Sequence, residues 1–172
     1  MAAVVIDTNV LVVANGRSVA PQASEKCVVL CRQRLGEILK GQEIVLLDDK
    51  KRIIKEYRNN LNEKRRAFGD RFWLELKRRM YNPRDYSNTV QTVQITPLHG
   101  NGHEFEEFPN DDPELKSFHK KDRKFVAVAI AYQAKFEENA PILKAEDRGW
   151  EKFIDALAAH GVQVHSICDS NT

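Results

Sequence analysis

The fold of this chain is decided near its start, by the run VVIDTNVL at residues 4–11. A continuous apolar run of this kind predicts a β-strand that is covered on both faces, here over about residues 3–13. Parallel sheets bind their ligands just outside the carboxyl ends of such strands. We therefore predict that Asp7 lies at the functional edge of a sheet, with the amide of Asn9 two residues further on.

The rest of the chain alternates between strand-like and helix-like patterns, and this order predicts an α/β fold. Further strands are predicted at about 43–47, 89–96, 141–145 and 162–167. Helices are predicted at about 22–40, 48–61, 70–80, 122–136 and 149–159, with helical structure also from about 113. A length of 172 residues fits one domain that spans residues 1–172.

The composition is that of a soluble globular protein. Apolar residues make up 42% of the chain, but no segment approaches the roughly 18 consecutive apolar residues that a membrane-spanning helix needs. Residues Met1 to Ala3 run straight into the first predicted strand, without the basic and apolar regions of a signal peptide. We therefore expect a cytoplasmic protein that makes no contact with membranes.

The three cysteines are too few for a disulfide framework. Cys27 and Cys31 stand one helical turn apart on an apolar helix face, and free cysteine is among the most often buried residue types. We therefore predict buried thiols that bind no metal.

Charge is distributed unevenly along the chain. Between Lys50 and Arg84 there are thirteen basic and four acidic residues, a net charge of +9, and aromatic residues lie between them. This composition is typical of proteins that bind phosphate backbones and stack bases, but a solvated helix face can share it, so both interpretations stay open. Trp73, within this segment, is predicted to be core rather than a base-stacking platform. The candidates for contact with nucleic acid are Lys64, Arg65, Arg66, Lys77, Arg78 and Arg79.

Four acidic residues stand where these patterns bring them inward or to the edge of the sheet. Asp7 and Asp147 each end an apolar strand-like run. Asp122 begins the inward stripe of its helix, and Glu56 lies at the border of a buried helix face. Two like charges about 4 Å apart repel by about 4 kcal/mol at an effective dielectric constant near 20, so such a cluster needs cations or protons. We predict that the four acids share a Mg²⁺ or Mn²⁺ site.

Ordinary structural roles also explain single members of this group. Asp122 suits the positive end of a helix dipole, and Asp147 suits a helix cap. Another possible metal site, formed by His99, His103 and the acids at 111–112, lies in a polar segment that predicts an exposed loop. The chain contains no glycine-rich dinucleotide or phosphate loop and no serine-hydrolase elbow. The joint arrangement of the four acids therefore carries the functional prediction.

The motifs VIDTNVL (5–11), IKEY (54–57), DRKFVAVA (122–129) and LKAEDRGW (143–150) together resemble PIN-domain ribonucleases in order and spacing. The resemblance covers most of the chain and implies a three-layer α/β/α sandwich with a central, mainly parallel sheet. It also implies an endonuclease that uses Mg²⁺ or Mn²⁺ to hydrolyse single-stranded RNA. Asp7, Asp122 and Asp147 would be the metal ligands, with Glu56 bound to the metal or its water and Asn9 positioning a phosphate or water.

The resemblance further implies a toxin of a toxin–antitoxin pair, with an antitoxin protein and a homodimer as expected protein partners. A non-catalytic RNA-binding or scaffolding domain of the same fold is the alternative. Two features depart from the family pattern. Ala145 stands where many relatives have serine or threonine, and the chain carries a basic helical insertion at about 58–90 and an acidic loop at about 99–114.

Overall fold

The computed structural model describes residues 2–16, 23–82, 84, 89–99 and 102–169, without the side chain of Gln42. Strands and helices alternate along these residues, in the order β1 (Ala2–Ile6), α1 (Thr8–Ala14), α2 (Glu25–Glu37), β2 (Glu43–Asp48), α3 (Arg52–Asn60), α4 (Phe68–Tyr81), β3 (Val90–Val93), α5 (Arg123–Phe136), β4 (Ile142–Lys144), α6 (Ile154–Ala159) and β5 (Val164–Ser166). A π-helical turn at Ile38–Gln42 extends α2, and 3₁₀ turns cover Pro113–Leu115, Lys120–Asp122 and Glu151–Phe153.

The five strands form one parallel sheet in the order β3-β2-β1-β4-β5. The apolar strand β1 lies at its centre, where Val5 and Ile6 pair with Ile142 and Leu143 of β4. β1 has a paired strand on each side, and both of its faces are covered, which explains why its sequence is continuously apolar. The strand order reverses direction at β1, so the carboxyl ends of β1 and β4 border a topological switch point, the usual ligand position of such sheets.

Helices flank the sheet in a three-layer α/β/α sandwich, which confirms the predicted fold class. Helix α5 packs against β1, β2, β3 and β4, while α1, α2 and α4 pack on one another. The start of α5 is buried all round its circumference, through Arg123–Ala129. Trp73 on α4 is 1% exposed, as predicted for a core residue. No helix in the described ranges is long and apolar enough to cross a membrane.

The prediction of one strand over residues 3–13 is wrong. Strand β1 ends at Ile6, and the chain enters α1 at Thr8, with Asp7 in an extended conformation at the helix N-cap. The backbone N–H of Asp7 still donates to the carbonyl of Leu143, 2.9 Å away, so the sheet ends at this residue. Helix α1 is buried over most of its surface and therefore lacks the polar face that marks a helix in the sequence.

The prediction of a free thiol at Cys27 is also wrong. Cys27 on α2 and Cys168, just after β5, form a disulfide across 141 positions of sequence. Helix α2 lies beside β5, since Leu30, Gln33, His165 and Ser166 line one concavity, and this brings the two cysteines together. Cys31 is a buried thiol, as predicted, and burial, helped by the charge of Glu146, raises its pKa to about 12.

Candidate functional site

A cavity of about 420 Å³ opens at the carboxyl ends of β1 and β4. Glu56, Asp122 and Asp147 line it, and the buried carboxylate of Asp7 lies close enough to interact electrostatically with all three. The structure thus brings together the four acids that the sequence singled out. Each comes from a different element: the end of β1, helix α3, the 3₁₀ turn before α5, and the turn after β4.

Asp7 is the most buried acid of the group, with 3% of its surface exposed. Its side chain makes no capping hydrogen bond to α1, and its Oδ2 atom has no hydrogen-bond partner among the described residues. Burial raises the pKa of Asp7 well above its ordinary value, and the charges of the three other acids raise it further, while Lys124 opposes them. The preceding carbonyl of Ile6 accepts a hydrogen bond from the Tyr57 hydroxyl at 2.5 Å, which fixes the end of β1.

Glu56 is held from both sides. The Thr8 hydroxyl donates to its Oε1 atom at 2.6 Å, and the ammonium group of Lys124 donates to its Oε2 atom and to the carbonyl of Lys121. Thr8 begins α1 and Lys124 lies in the first turn of α5, so this carboxylate joins three helices. The sequence did not predict this contact of Thr8.

Asp147 is positioned by the turn that follows β4. Its Oδ2 atom accepts a hydrogen bond from the Asn9 amide at 2.9 Å, and its Oδ1 atom accepts one from the backbone N–H of Gly149 at 2.8 Å. A side chain at position 149 would bring its Cβ to 3.1 Å from Oδ1, so glycine suits this turn. Asn9 therefore links α1 to the Asp147 turn. Ala145 lies in the wall of the same cavity and offers no hydroxyl there.

Asp122 ends the 3₁₀ turn before α5, and its side chain makes no capping hydrogen bond to that helix. Its pKa is raised to about 6, and burial is the largest cause. The positive charges of His119 and Lys124 lower it, and the nearby Glu56 and Asp147 raise it again. The His119 Nδ1 atom lies 3.9 Å from Asp122 Oδ2. The helix-dipole explanation alone does not account for this carboxylate, since it faces other acids across the cavity.

The donor set fits a hard divalent cation. Carboxylate and amide oxygens are the ligands that Mg²⁺ and Mn²⁺ prefer, and Asp7 Oδ2 is a buried oxygen that lacks a partner. Among the described residues, no three acids have carboxylate oxygens that all lie within 4.8 Å of one another. The three side chains that do approach so closely are Cys27, Cys31 and Cys168. A wider spacing suits Mg²⁺, which usually keeps several waters and uses one or two carboxylates.

Most of the basic residues predicted to contact nucleic acid pair with acids of the chain. Arg65 binds Asp70 through two nitrogens at 2.8 Å, and Lys77 pairs with Glu63 at 2.9 Å. Glu75 accepts hydrogen bonds from both Arg78 and Arg79, and Arg79 also donates to the carbonyl of Leu39. The remaining two residues of the group, Lys64 and Arg66, are exposed.

Lys124 is another residue of the site that the sequence did not single out. It lies two positions after Asp122, away from the inward stripe that a 3.6-residue period defines. It is nevertheless buried, because the first turn of α5 is covered on all sides. A useful signal was present in the motif itself, where a basic residue follows the acid closely before a wholly apolar helix.

Searches against protein-family models, curated proteins and solved structures gave no match to this chain. The resemblance to PIN-domain ribonucleases therefore rests on the motifs quoted above. The cavity geometry is independent of that resemblance, since it follows from the strand order and the side-chain contacts.

Proposed function

We propose that this protein is a metal-dependent endoribonuclease of the PIN-domain type, which hydrolyses phosphodiester bonds in single-stranded RNA. The observation that carries the proposal is the unpartnered Oδ2 atom of the buried Asp7, at the point where three more acids converge. A buried carboxylate oxygen without a partner costs on the order of 1–3 kcal/mol or more. A divalent cation would supply the missing partner and offset the repulsion among the acids.

The acids and the two residues that hold Glu56 have different parts in this proposal. Asp7, Asp122 and Asp147 would hold Mg²⁺ or Mn²⁺, with Glu56 close to the metal or its water. The bound ion would stabilise negative charge on the phosphate and lower the pKa of water. Thr8 and Lys124 fix both oxygens of Glu56, which suits a carboxylate that orients the attacking water.

The mouth of the cavity suits an anionic substrate. The exposed side chains of His119, Lys121 and Arg148 line it and place basic groups beside the acids. Phosphates that approach from solvent would meet these groups first, and positive charge at a cleft raises the rate of encounter with an anion. From the sequence pattern at Met1 to Ala3 we propose the cytoplasm as the compartment. From the resemblance to PIN-domain ribonucleases we propose an antitoxin protein or a second copy of the chain as the protein partner.

Amide substitutions at the acids test the activity directly. We expect Asp7→Asn and Asp147→Asn to reduce cleavage of a labelled single-stranded RNA by at least about 100-fold, because each removes a charged oxygen ligand and about 2.7 kcal/mol or more of transition-state stabilisation. The assay compares initial rates with Mg²⁺, with Mn²⁺ and with EDTA. Asp7→Asn should still fold, since an amide relieves the like-charge repulsion at this buried position.

Asp111→Asn is the matched control, because Asp111 is exposed and lies outside the cavity. It should cleave at the wild-type rate. Undiminished cleavage by carefully purified Asp7→Asn would show that these acids are not the catalyst. Wild-type protein that binds RNA but does not cleave it with either metal would support the alternative, a non-catalytic RNA-binding domain of the same fold.

A further inference from the structure

A second concavity lies on the other flank of α3 and is distinct from the acid cavity. It has a volume of about 330 Å³, which is within the range of small-ligand sites. Among the described residues, its walls carry no acidic side chain and five basic ones: Lys50, Lys51, Lys55, Arg58 and Lys77. We call it the basic pocket.

Within the described ranges, most of the basic side chains of this pocket pair with no acidic residue. Lys77 pairs with the exposed Glu63 at 2.9 Å. Among the described residues, the four other cations of the pocket have no carboxylate oxygen within 4.0 Å. Cations gathered around one concavity repel each other, so an anion bound there would be stabilised by several of them at once.

The pocket also offers aromatic surface. Trp73 forms part of its wall, and the indole Nε1 atom is buried without a hydrogen-bond partner in the described part of the chain. Tyr81 stands at the rim with 62% of its surface exposed, and the Lys51 ammonium lies 5.5 Å from the centre of its ring. An exposed aromatic ring beside several cations is the arrangement with which proteins stack a base and bind its phosphate. An acidic peptide would use the charges but not the ring.

Helix α3 forms a wall of both concavities. Glu56 lines the acid cavity, whereas the neighbouring Lys55 and Arg58, two residues after Glu56, line the basic pocket. An α-helix with its side chains is about 10–12 Å across, so the two sites lie a short distance apart on one surface. A flexible strand that enters one site can cross α3 and reach the other.

We propose that the basic pocket binds one nucleotide of a single-stranded nucleic acid, with the phosphate at Lys55 and Arg58 and the base stacked on Tyr81. The proposal rests on the proposed function in one respect, that the same strand also enters the acid cavity. It predicts that this protein binds its substrate away from the scissile bond as well as at it.

Binding without cleavage tests this site. Anisotropy titrations in EDTA would use fluorescein-labelled ten-nucleotide RNA and DNA strands of one sequence, at several salt concentrations. We expect the double variant Lys55→Glu, Arg58→Glu to bind at least about tenfold more weakly and to lower the salt slope by about 1.4, which is the loss of about two single-strand phosphate contacts. Tyr81→Leu should weaken binding at least about fivefold, and Tyr81→Phe, which keeps the ring, should not.

The matched control is Lys135→Glu, Lys152→Glu, which makes the same change in net charge at exposed positions outside the basic pocket. It should bind as wild type does. The site is overturned if the pocket variants and the control bind alike, or if a polyglutamate peptide competes as well as RNA and Tyr81→Leu has no effect. If the pocket variants have no effect but metal-dependent cleavage persists, the proposed nuclease function stands without the pocket. If binding depends on the pocket but the protein never cleaves RNA, the pocket proposal stands and the nuclease proposal does not.

Discussion

Asp70 shows how one buried carboxylate can organise a loop. Its fully buried side chain binds Arg65 through two nitrogens and accepts the backbone N–H groups of Asn62 and Ala67 and the amide of Asn15. Burial alone would raise the pKa of Asp70, but these hydrogen bonds lower it to about 2. The Asp70 side chain therefore links the segment between α3 and α4 to Asn15 at the end of α1.

This network predicts a pH-dependent stability. The pKa of Asp70 in the folded protein lies below the ordinary value of 3.8, so its contribution is fully present above about pH 4 and is lost as the pH falls towards 2. We expect Asp70→Asn to lower the free energy of unfolding by about 1–3 kcal/mol at pH 7, and by less at pH 2.5. Urea unfolding at both pH values measures the difference.

Asp111→Asn serves again as the control, since the Asp111 carboxylate makes no hydrogen bond to the described residues and is exposed. Its effect should be small at both pH values. An Asp70→Asn effect that is equal at pH 7 and pH 2.5 would contradict the assignment of the stabilisation to the ionised carboxylate.

At the scale of single residues, position along predicted elements was enough to bring the acids together. Asp7 and Asp147 follow apolar strands, and parallel strands end at one edge, so their convergence could be predicted from the sequence. The side chains that form hydrogen bonds with the acids could not be predicted in this way. Lys124 and Thr8 reach Glu56 from separate helices, and only the packing of α1, α3 and α5 decides which side chains face that carboxylate.

At the scale of elements, α1 and α4 make an unusually close contact. A Cβ atom built on Gly69 would lie 2.0 Å from the carbonyl oxygen of Leu11. The side chain of Asn15 also accepts the backbone N–H of Gly69 at 2.7 Å. Glycine is needed here because the backbone of α4 meets the backbone of α1 directly.

This contact predicts opposite effects for two alanine substitutions. Gly69→Ala should lower the free energy of unfolding by at least about 2 kcal/mol, because a backbone carbonyl cannot move aside without shifting a helix. Gly36→Ala should instead raise it by about 0.5–1 kcal/mol, because Gly36 lies inside α2 and its nearest neighbour to a new Cβ, Phe68, is 3.9 Å away. Thermal or urea unfolding of the two variants and the wild type measures these changes in the free energy of unfolding. Equal effects would contradict the close approach.

The sequence predicted the elements well where one face is polar and poorly where none is. Helix α4 has a polar side and was placed within two residues of its observed ends, and β2 extends only one residue beyond its predicted end. Helix α1 was read as strand because Val10, Leu11 and Val13 are all buried. A segment that is apolar all round carries no period, so tertiary packing decides its conformation.

At the scale of the whole molecule, the disulfide joins α2 to the end of the sheet. The bond between Cys27 and Cys168 closes a loop of 141 residues. A cross-link of this length restricts the unfolded chain strongly, and such bonds typically stabilise a fold by about 2–5 kcal/mol. In the reducing cytoplasm that we propose, the bond would open and leave three thiols.

Thiol counting and unfolding test the bond together. In denaturant without reductant, we expect one reactive thiol, that of Cys31, and with reductant three. Reduction should lower the free energy of unfolding by about 2–5 kcal/mol in the wild type and in Cys31→Ala, but should not affect Cys168→Ser. Three reactive thiols in oxidised, denatured protein would contradict the disulfide.

The position of β1 in the sheet bears on the order in which this protein is synthesised. β1 is synthesised before β4, which is one of its two neighbours in the sheet and begins only at Ile142. The nascent chain therefore carries Asp7 and Glu56 long before Asp147 exists to join them. If the protein is the ribonuclease that we propose, this order would delay the complete site until β4 and the turn after it had been made, and so would protect the messenger RNA that is still being translated nearby.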